Sequence, residues 1–420
     1  MIIALFLIIA LYLALCLAYF SYHGDEGIRG SFETFNNDDV RYLRSAWTLL
    51  ETGRYTYRYP DTDTVFVMPG LTTVLAGFVA IFGKYPLVPF KIFQALLGCA
   101  TLYLIFLCGR KLFKSEVGLV GAGIMALYAP NIYVTGTILT EVCFWFLFLL
   151  TFLFSIYALD THKMRYYIGG GLLLGLCTLF KPCALMFCGV VGVMWLIKRY
   201  KFTEALKFAL VAGGAAVLVL SPWIVRNALL FGEFIPLTKS SGNPMFQGTF
   251  INYDQSVRAS ENIDYYVIIK EQTDIDIDNY GNNELTDDAA ELAMTKIRFD
   301  RVIKKEPLKY LWWYTVGKTI QNFREPFLWV VLFGVNIIAY CIQHYLILLL
   351  GLAGFFVFLL SRDKNPAAYI LMLSVLCFNL MYLPFYCFAR YMFPIMFCFA
   401  LYAGYLIVRL KDMLVARKTA

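Results

Sequence analysis

The sequence is poor in charged residues. Asp, Glu, Lys and Arg make up only 15% of its 420 residues, whereas a soluble domain averages about 25%. Hydrophobic residues make up 60%, and the mean hydropathy is +0.66. This composition argues against a water-soluble enzyme, a disordered chain and a nucleic-acid-binding domain.

Histidine is scarce, and the polar loops contain no cysteine. Three His residues and no CxxC pair are present, so a zinc site is not expected. All eleven Cys residues lie within or at the ends of apolar segments, which excludes a disulfide framework in the loops. No inverted internal repeat is visible, and this absence counts against a secondary transporter.

The basic residues that are present cluster between apolar runs. The polar stretches 21–65 and 224–310 hold 15 Lys or Arg and 22 Asp or Glu, so the rest of the chain carries a net charge of +14. Most of this charge lies in the joints 110–114, 162–165, 198–201 and 361–364 and in the tail after residue 408. This is the positive-inside pattern of a multi-pass membrane protein. We therefore expect an inner-membrane or plasma-membrane protein with the joints and both termini in the cytoplasm.

Ten segments are apolar enough to be candidate spans, although the two arms of 166–197 are short. They are 1–20, 86–109, 116–134, 141–159, 166–180, 183–197, 205–223, about 340–360, 366–386 and 391–409. The sequence thus predicts an all-α bundle of about ten to twelve transmembrane helices, with 1–20 as an uncleaved first span. Lys181-Pro182 is expected to separate the fifth and sixth spans, and Pro222 to break the seventh.

Three domains follow from this pattern. Residues 1–223 form an N-terminal transmembrane module, which contains a first outer loop at 21–65 and an interfacial helix at 67–83. Residues 224–310 form an extracytoplasmic cap, and residues 311–420 form the C-terminal transmembrane helices. Within the cap, Leu285–Ile303 is predicted to be helical.

The first outer loop contains a predicted amphipathic helix. Apolar residues recur at helical spacing between a capping Asn and a terminating Gly, at Val40, Leu43, Trp47 and Leu50 between Asn37 and Gly53. Such a helix is expected to lie on the outer membrane surface. Its first turn presents Asp38 and Asp39. These acids suit the helix dipole, but a carboxylate placed there could also serve as a general base.

Further charged residues are predicted to lie on the same side of the membrane. Glu141 opens an apolar run and is the only carboxylate between Glu116 and Asp160. It could be an interfacial anchor or a functional acid. Five cations also fall at outer ends of spans: Lys84, Lys91, Lys181, Arg226 and Arg390. Each alone could be a snorkelling residue, but together they suit a phosphate that enters from the lipid.

The order of these motifs resembles a known superfamily. DDVRY follows the first span, then an interfacial segment that contains PG and ends in IFG. The later motifs are TE, GLLLGLCTLFKP, SPWIVRNALLFGEFIPLTKSSGN and ARYMFPIMFCFALYAGYL. This series resembles bacterial GT-C integral-membrane glycosyltransferases, in particular the glycosyltransferase family 39 and aminoarabinose-transferase-like group, which is related to protein O-mannosyltransferases. The resemblance covers nearly the whole chain.

The resemblance implies a function. A sugar would pass from a polyprenyl-phosphate-sugar donor to a hydroxyl-bearing glycolipid, polysaccharide or protein, on the extracytoplasmic face and with inversion. Mg or Mn is possible beside the carboxylates, but no metal geometry is visible. A flippase or secondary transporter for lipid-linked sugars is the alternative function, and a non-catalytic membrane scaffold is a third reading.

The resemblance also implies roles for residues. Asp38 would be the general base, with Asp39 and Glu141 as further catalytic acids. Lys181, Arg226 and Arg390 would bind the donor phosphate. Possible substrate contacts are Arg41, Tyr42, Lys91 and Tyr391. Aminoarabinose transferases have a Lys-Pro pair after the first-loop helix, and this chain has Met68-Pro69 instead, so a phosphate contact from that Lys is not transferred.

Overall fold

The structure is a computed structural model that describes residues 1–362 and 364–419. Asp363, which belongs to the basic joint 361–364, and Ala420 lie outside the described residues. The described residues contain α-helices and short 3-10 or π turns and no strand. The helices of the N-terminal half are α1 (Ile2–His23), α2 (Asp38–Thr52), α3 (Gly70–Phe82), α4 (Leu87–Leu112), α5 (Ser115–Leu127), α6 (Ala129–Tyr133), α7 (Glu141–Thr161), α8 (Met164–Thr178), α9 (Phe187–Ile197) and α10 (Phe202–Phe231).

The second half begins with the cap. Its helices are α11 (Gly242–Gly248), α12 (Arg258–Glu261), α13 (Tyr265–Gln272) and α14 (Glu284–Arg301). The remaining helices are α15 (Pro307–Trp312), α16 (Lys318–Phe323), α17 (Ile337–Leu360), α18 (Tyr369–Tyr382), α19 (Ala389–Met392) and α20 (Met396–Thr419). A π-helical turn at Trp313–Gly317 joins α15 to α16.

Each of the ten predicted spans coincides with a helix or a pair of helices. Within the described residues, six helices are long and apolar enough to cross a membrane: α1, α4, α7, α10, α17 and the segment Ala389–Arg417 that contains α20. A seventh candidate is the pair Ser115–Leu127 and Ala129–Gly136, which is bent by 65°. The apolar helices at Gly70–Phe82, Pro182–Ile197 and Pro366–Tyr382 are shorter.

The two prolines expected to break helices behave differently. The chain does break before Pro182, because Lys181 is extended and a 3-10 turn follows. The predicted break at Pro222 is wrong, since α10 continues through it to Phe231. Pro222 cannot donate to the carbonyl of Leu218, four residues earlier. The Ser221 hydroxyl donates to that carbonyl instead, at 2.8 Å, so the acceptor is satisfied and the helix persists.

The last helix forms the centre of the bundle. Every residue from 392 to 404 is buried. Close approach depends on small residues of its neighbours: a Cβ added to Gly354 of α17 would lie 2.0 Å from the carbonyl oxygen of Tyr402. In membranes, small residues let helix backbones approach and pack in this way. The segment before α20, which includes Arg390, is therefore held against the core.

The predicted helix of the first loop is confirmed as Asp38–Thr52, with Gly53 in the left-handed conformation at φ 72°. Asn37 stands at the N-cap position, but its side chain makes no capping hydrogen bond. Three residues of the apolar stripe, Val40, Leu43 and Trp47, are buried and α2 packs against α3, whereas Leu50 is exposed. The end of α3 also exposes large apolar side chains, at Ile81 and Phe82. The first turn of α2 is thus fixed by protein contacts.

The cap contacts both segments that border the candidate site. The predicted helix in the cap is confirmed as α14, Glu284–Arg301. Glu284 Oε1 accepts a hydrogen bond from the Arg58 amide of the first loop at 2.8 Å. The Tyr386 amide, shortly before α19, donates to the Pro244 carbonyl at 2.7 Å. The cap therefore joins the first outer loop to the segment that carries Arg390.

Candidate active site

Four charged residues meet where helices begin or break. Asp38 opens α2, Glu141 opens α7, Lys181 follows α8, and Arg390 lies in the first turn of α19. Their side chains form one continuous ion-pair network. It lies at the end of α7 opposite the basic joint 162–165, because α7 begins at Glu141 and ends at Thr161. Four segments remote in the sequence thus supply one charged cluster.

Glu141 forms the buried centre of this cluster. It is completely buried, and Oε1 contacts Lys181 Nζ at 2.7 Å and Arg390 Nε at 2.5 Å. Arg390 Nη2 donates to the other oxygen at 3.4 Å. A buried carboxylate is tolerated only when it is paired in this way. Glu141 therefore fixes the positions of two cations whose side chains are only 14% and 11% exposed, for Lys181 and Arg390 respectively.

Asp38 is the accessible acid of the cluster. Its side chain is 39% exposed, and Oδ2 accepts from Arg390 Nη1 at 3.2 Å. Oδ1 accepts from the Tyr57 hydroxyl at 2.7 Å. Burial, reinforced by the neighbouring carboxylate, holds the pKa of Tyr57 well above its ordinary value. Tyr57 therefore stays protonated and donates, which orients the carboxylate of Asp38 while leaving part of it open.

Asp39 has a different environment although it is adjacent. It is completely buried. Oδ2 accepts from the amides of Arg29 at 2.6 Å and Gly30 at 3.3 Å, and Oδ1 from the amides of Gly30 at 3.2 Å and Val40 at 2.8 Å. These bonds occupy both oxygens. Asp39 thus holds residues 29–30 against the start of α2, and its contacts are with backbone rather than with the open side of the cluster.

Arg226 belongs to a second charged group. Its Nη2 lies 3.3 Å from Asp63 Oδ1, and Nη1 donates to the Thr64 carbonyl at 2.9 Å. The guanidinium also lies 5.0 Å from the centre of the Trp223 ring. The segment from Tyr55 to Tyr57 links the two groups. The Tyr55 carbonyl accepts a hydrogen bond from Arg226 at 3.4 Å, and the Tyr57 hydroxyl donates to Asp38. Arg226 is therefore beside the network and not a member of it.

The other candidate contacts have partners of their own. Lys91 Nζ pairs with Asp25 Oδ1 at 2.5 Å. Arg41 Nε donates to the Phe35 carbonyl at 2.9 Å. The ring of Tyr42 is buried 5.1 Å from that of Tyr57, and Tyr391 stacks on Tyr382 at 4.3 Å. Lys84, at the other side of α2, lies over the Trp47 ring at 4.7 Å. None of these residues forms an ion pair with the four members of the network.

The donor set does not fit a divalent cation. In the described part of the chain, no group of three or more His, Cys, Asp or Glu side chains is arranged to hold a metal ion. The guanidinium of Arg390 lies between the carboxylates of Asp38 and Glu141 and forms an ion pair with each. Because Lys181 and Arg390 already compensate the charge of Glu141, a further cation would meet two positive neighbours.

Sequence reasoning missed three participants. Tyr57 contacts Asp38, and Asp63 pairs with Arg226. A signal existed for the first: tyrosines occur at every second position at 55, 57 and 59, which is the alternation of an extended segment with two distinct faces. Trp329 was also missed. Its ring lies 5.9 Å from the Arg390 guanidinium, and nothing in the local sequence indicates that contact.

Comparisons with known proteins agree with this fold. Residues 67–225 match the family described as dolichyl-phosphate-mannose-protein mannosyltransferase. The chain superposes on the apo oligosaccharyltransferase of Archaeoglobus fulgidus with a TM-score of 0.60 and 14% identity, covering 100% of this chain and 51% of that one. The same archaeal enzyme, AglB, in complex with an inhibitory peptide and a dolichol-phosphate gives 0.58 and 13%, covering 100% and 51%.

A further solved structure is ArnT from Cupriavidus metallidurans bound to undecaprenyl phosphate. It has a TM-score of 0.43 and 14% identity, and covers 95% of this chain and 77% of that one. No curated protein sequence is significantly similar to this chain. The fold is similar to that of the archaeal oligosaccharyltransferase, and it is the all-α membrane bundle that the sequence predicted. Within it, residues 67–225 carry the mannosyltransferase-type family match. The chain spans about half the length, 51%, of the archaeal oligosaccharyltransferase.

Proposed function

We propose that this protein transfers a sugar from a polyprenyl-phosphate donor to a hydroxyl group of an acceptor, on the extracytoplasmic side and with inversion. The observation that carries the proposal is the bridge that Arg390 makes between accessible Asp38 and buried Glu141. It places a carboxylate that can accept a proton next to cations that can bind a phosphate. An acid–base pair of this kind is what displacement of a phosphate from a sugar requires.

The cations provide the leaving-group side of the reaction. Lys181 and Arg390 are positioned by Glu141, so little reorganisation of these cations is needed when a phosphate oxygen approaches them. Preorganised donors of this type contribute about 3–4 kcal/mol to transition-state stabilisation in a water-poor site. AglB, whose fold this chain shares, has been solved with a dolichol-phosphate, which supports a lipid-linked phosphate as ligand.

An apolar groove can take the lipid tail. It has a volume of about 720 Å³ and lies among α7, α8, α9 and α10. One end is bordered by Tyr167 and Trp195, and the other by Pro236 and Leu237. The Leu237 carbonyl accepts a hydrogen bond from the indole N–H of Trp223. The ring of Trp223 in turn contacts the guanidinium of Arg226. A polyprenyl chain in this groove would thus reach the outer charged groups with its phosphate.

The chemical step is a single displacement. The acceptor oxygen forms a bond to the anomeric carbon while the bond from that carbon to the phosphate oxygen breaks. The acceptor proton passes to the Asp38 carboxylate, and the phosphate leaves with the bonding electron pair towards Arg390 and Lys181. Attack from the side opposite the leaving group inverts the anomeric centre. The acceptor class remains a glycolipid, a polysaccharide or a protein.

The placement of charge distinguishes this function from transport. A flippase or secondary transporter is expected to carry ionisable residues near the middle of the bilayer. Here the network lies at the starts of α2, α7 and α19. The basic joints at 162–165 and 198–201 follow the opposite ends of α7 and α9. With those joints in the cytoplasm, the network faces outside.

The test is a transfer assay with purified protein and labelled undecaprenyl-phosphate sugars. Asp38→Asn should lower transfer by about a thousandfold or more, because the isosteric amide cannot accept the proton. Asp61→Asn, which removes an exposed acid from the same loop, is the matched control and should keep wild-type activity. Wild-type transfer by a folded Asp38→Asn protein would eliminate Asp38 as base. Failure of the wild type with every labelled donor would reject the donor class.

A further inference from the structure

A second charged cavity lies at the opposite end of the bundle from Asp38. It has a volume of about 230 Å³. Three segments build it: the end of α4 with the following joint, the joint after α17, and the middle of α20. It shares no residue with the network of Asp38, Glu141, Lys181 and Arg390. The proposed transfer reaction does not use it.

The cavity has an excess of positive charge. Its lining includes Lys114, Lys364 and Arg409, one from each segment, and a single described carboxylate, Asp412. Lys114 Nζ pairs with Asp412 Oδ2 at 2.6 Å, and Lys364 Nζ donates to the Leu359 carbonyl at 2.7 Å. Among the described residues, no carboxylate lies within 4 Å of the Arg409 guanidinium. Arg409 therefore has no carboxylate partner among the residues that the structure describes.

Packing fixes the shape of this cavity. The ring of Phe113 lies 5.1 Å from Tyr405, 5.7 Å from Tyr402 and 5.9 Å from Phe358. Asn365 Nδ2 donates to the Leu112 carbonyl at 3.1 Å, which ties the joint after α17 to the end of α4. The positive-inside rule accounts for cations near this face of a membrane protein. It does not account for their convergence from three segments on one hollow with an aromatic wall.

The edge of the cavity is continuous with apolar surface. Leu360, Phe356 and Leu410 are all exposed, on the two helices that border the cavity. A ligand with a phosphate head and acyl chains could therefore place the head in the cavity and the chains along α17 and α20. The planar guanidinium of Arg409 matches two phosphate oxygens, and basic pockets between transmembrane helices on the cytoplasmic side bind anionic head groups.

We propose that this cavity binds the phosphate of an anionic phospholipid of the cytoplasmic leaflet. Arg409 supplies the main contact, and Lys114 and Lys364 supply flanking charge. The hydroxyl of Ser361, also in the lining, offers a further donor. Occupation of the cavity would hold the ends of α4 and α17 and the middle of α20 together. The site is distinct from the outer one and stands whatever reaction that outer site performs.

Native mass spectrometry tests the site on the full-length protein in detergent mixed with either phosphatidylglycerol or phosphatidylcholine. The wild type should retain one phosphatidylglycerol in preference to phosphatidylcholine. Arg409→Gln should bind it about tenfold more weakly or worse. Arg165→Gln, which removes the same charge at the same end of the bundle, is the matched control and should bind as the wild type does.

A second variant and a competition with inorganic phosphate complete the experiment. Lys364→Gln is the second variant, so that misfolding of Arg409→Gln, detected by size exclusion, leaves the site testable. Inorganic phosphate is titrated as a competitor, because the cavity could bind either the phosphate of a lipid head group or free phosphate. Equal binding by Arg409→Gln and the wild type, or equal retention of phosphatidylcholine, would overturn the proposal. Displacement of the lipid by millimolar phosphate would overturn the lipid as ligand.

Discussion

Replacing Asp39 by asparagine should destabilise the fold, although the adjacent Asp38→Asn should not. The Asp39 carboxylate is buried and accepts from the amides of Arg29, Gly30 and Val40. An amide group keeps one accepting oxygen and turns an NH2 towards the other donors. At least one bond to a charged acceptor, worth about 1.5–3 kcal/mol, is lost, and one buried N–H is left without a partner, at about 1–3 kcal/mol. The expected cost is about 3–4 kcal/mol.

Thermal unfolding of the purified proteins, followed by tryptophan fluorescence, measures this difference. Asp39→Asn should melt several degrees below the wild type. Asp38→Asn should melt close to the wild type, because its side chain is 39% exposed and exposed ion pairs contribute about 1 kcal/mol or less. The reasoning is refuted if Asp39→Asn keeps the wild-type melting temperature, and especially if it does so while transfer is lost.

Three further outcomes are expected. Tyr57→Phe should lower the transfer rate about tenfold without changing the melting temperature, because it removes only the hydroxyl that orients Asp38; an unchanged rate would contradict that role. Arg226→Gln should raise the KM for the lipid donor more than it lowers kcat, measured with a donor titration, and the opposite split would place Arg226 at the reacting atoms. Burial raises the pKa of Glu284, so protonation favours the folded cap, and melting temperature should rise as pH falls from neutral towards about 4–5. Glu284→Gln should flatten that slope, and an equally steep slope in the variant would assign it to other groups.

The local sequence was sufficient for the helices and for the membrane character. Hydropathy located a helix or a pair of helices in each of the ten predicted segments, and six of the described helices are long and apolar enough to cross a membrane, because a segment that crosses lipid must be apolar over its own length. The start and end of α2 were readable for the same reason: Asn37 precedes two acids, and Gly53 can adopt the left-handed conformation that ends a helix. Each of these features depends on residues within a few positions of one another.

Contacts between distant segments were decided only by the tertiary structure. Asp38 and Asp39 are the same residue type in the same turn, yet the Asp38 side chain is 39% exposed and the Asp39 carboxylate is closed by the amides of residues 29–30. The sequence placed Arg226 with Lys181 and Arg390, but the structure pairs it with Asp63. The electrostatic environment of a side chain is set by whatever the fold brings within a few ångströms of it, and that neighbourhood is not encoded in the spacing of residues along one helix.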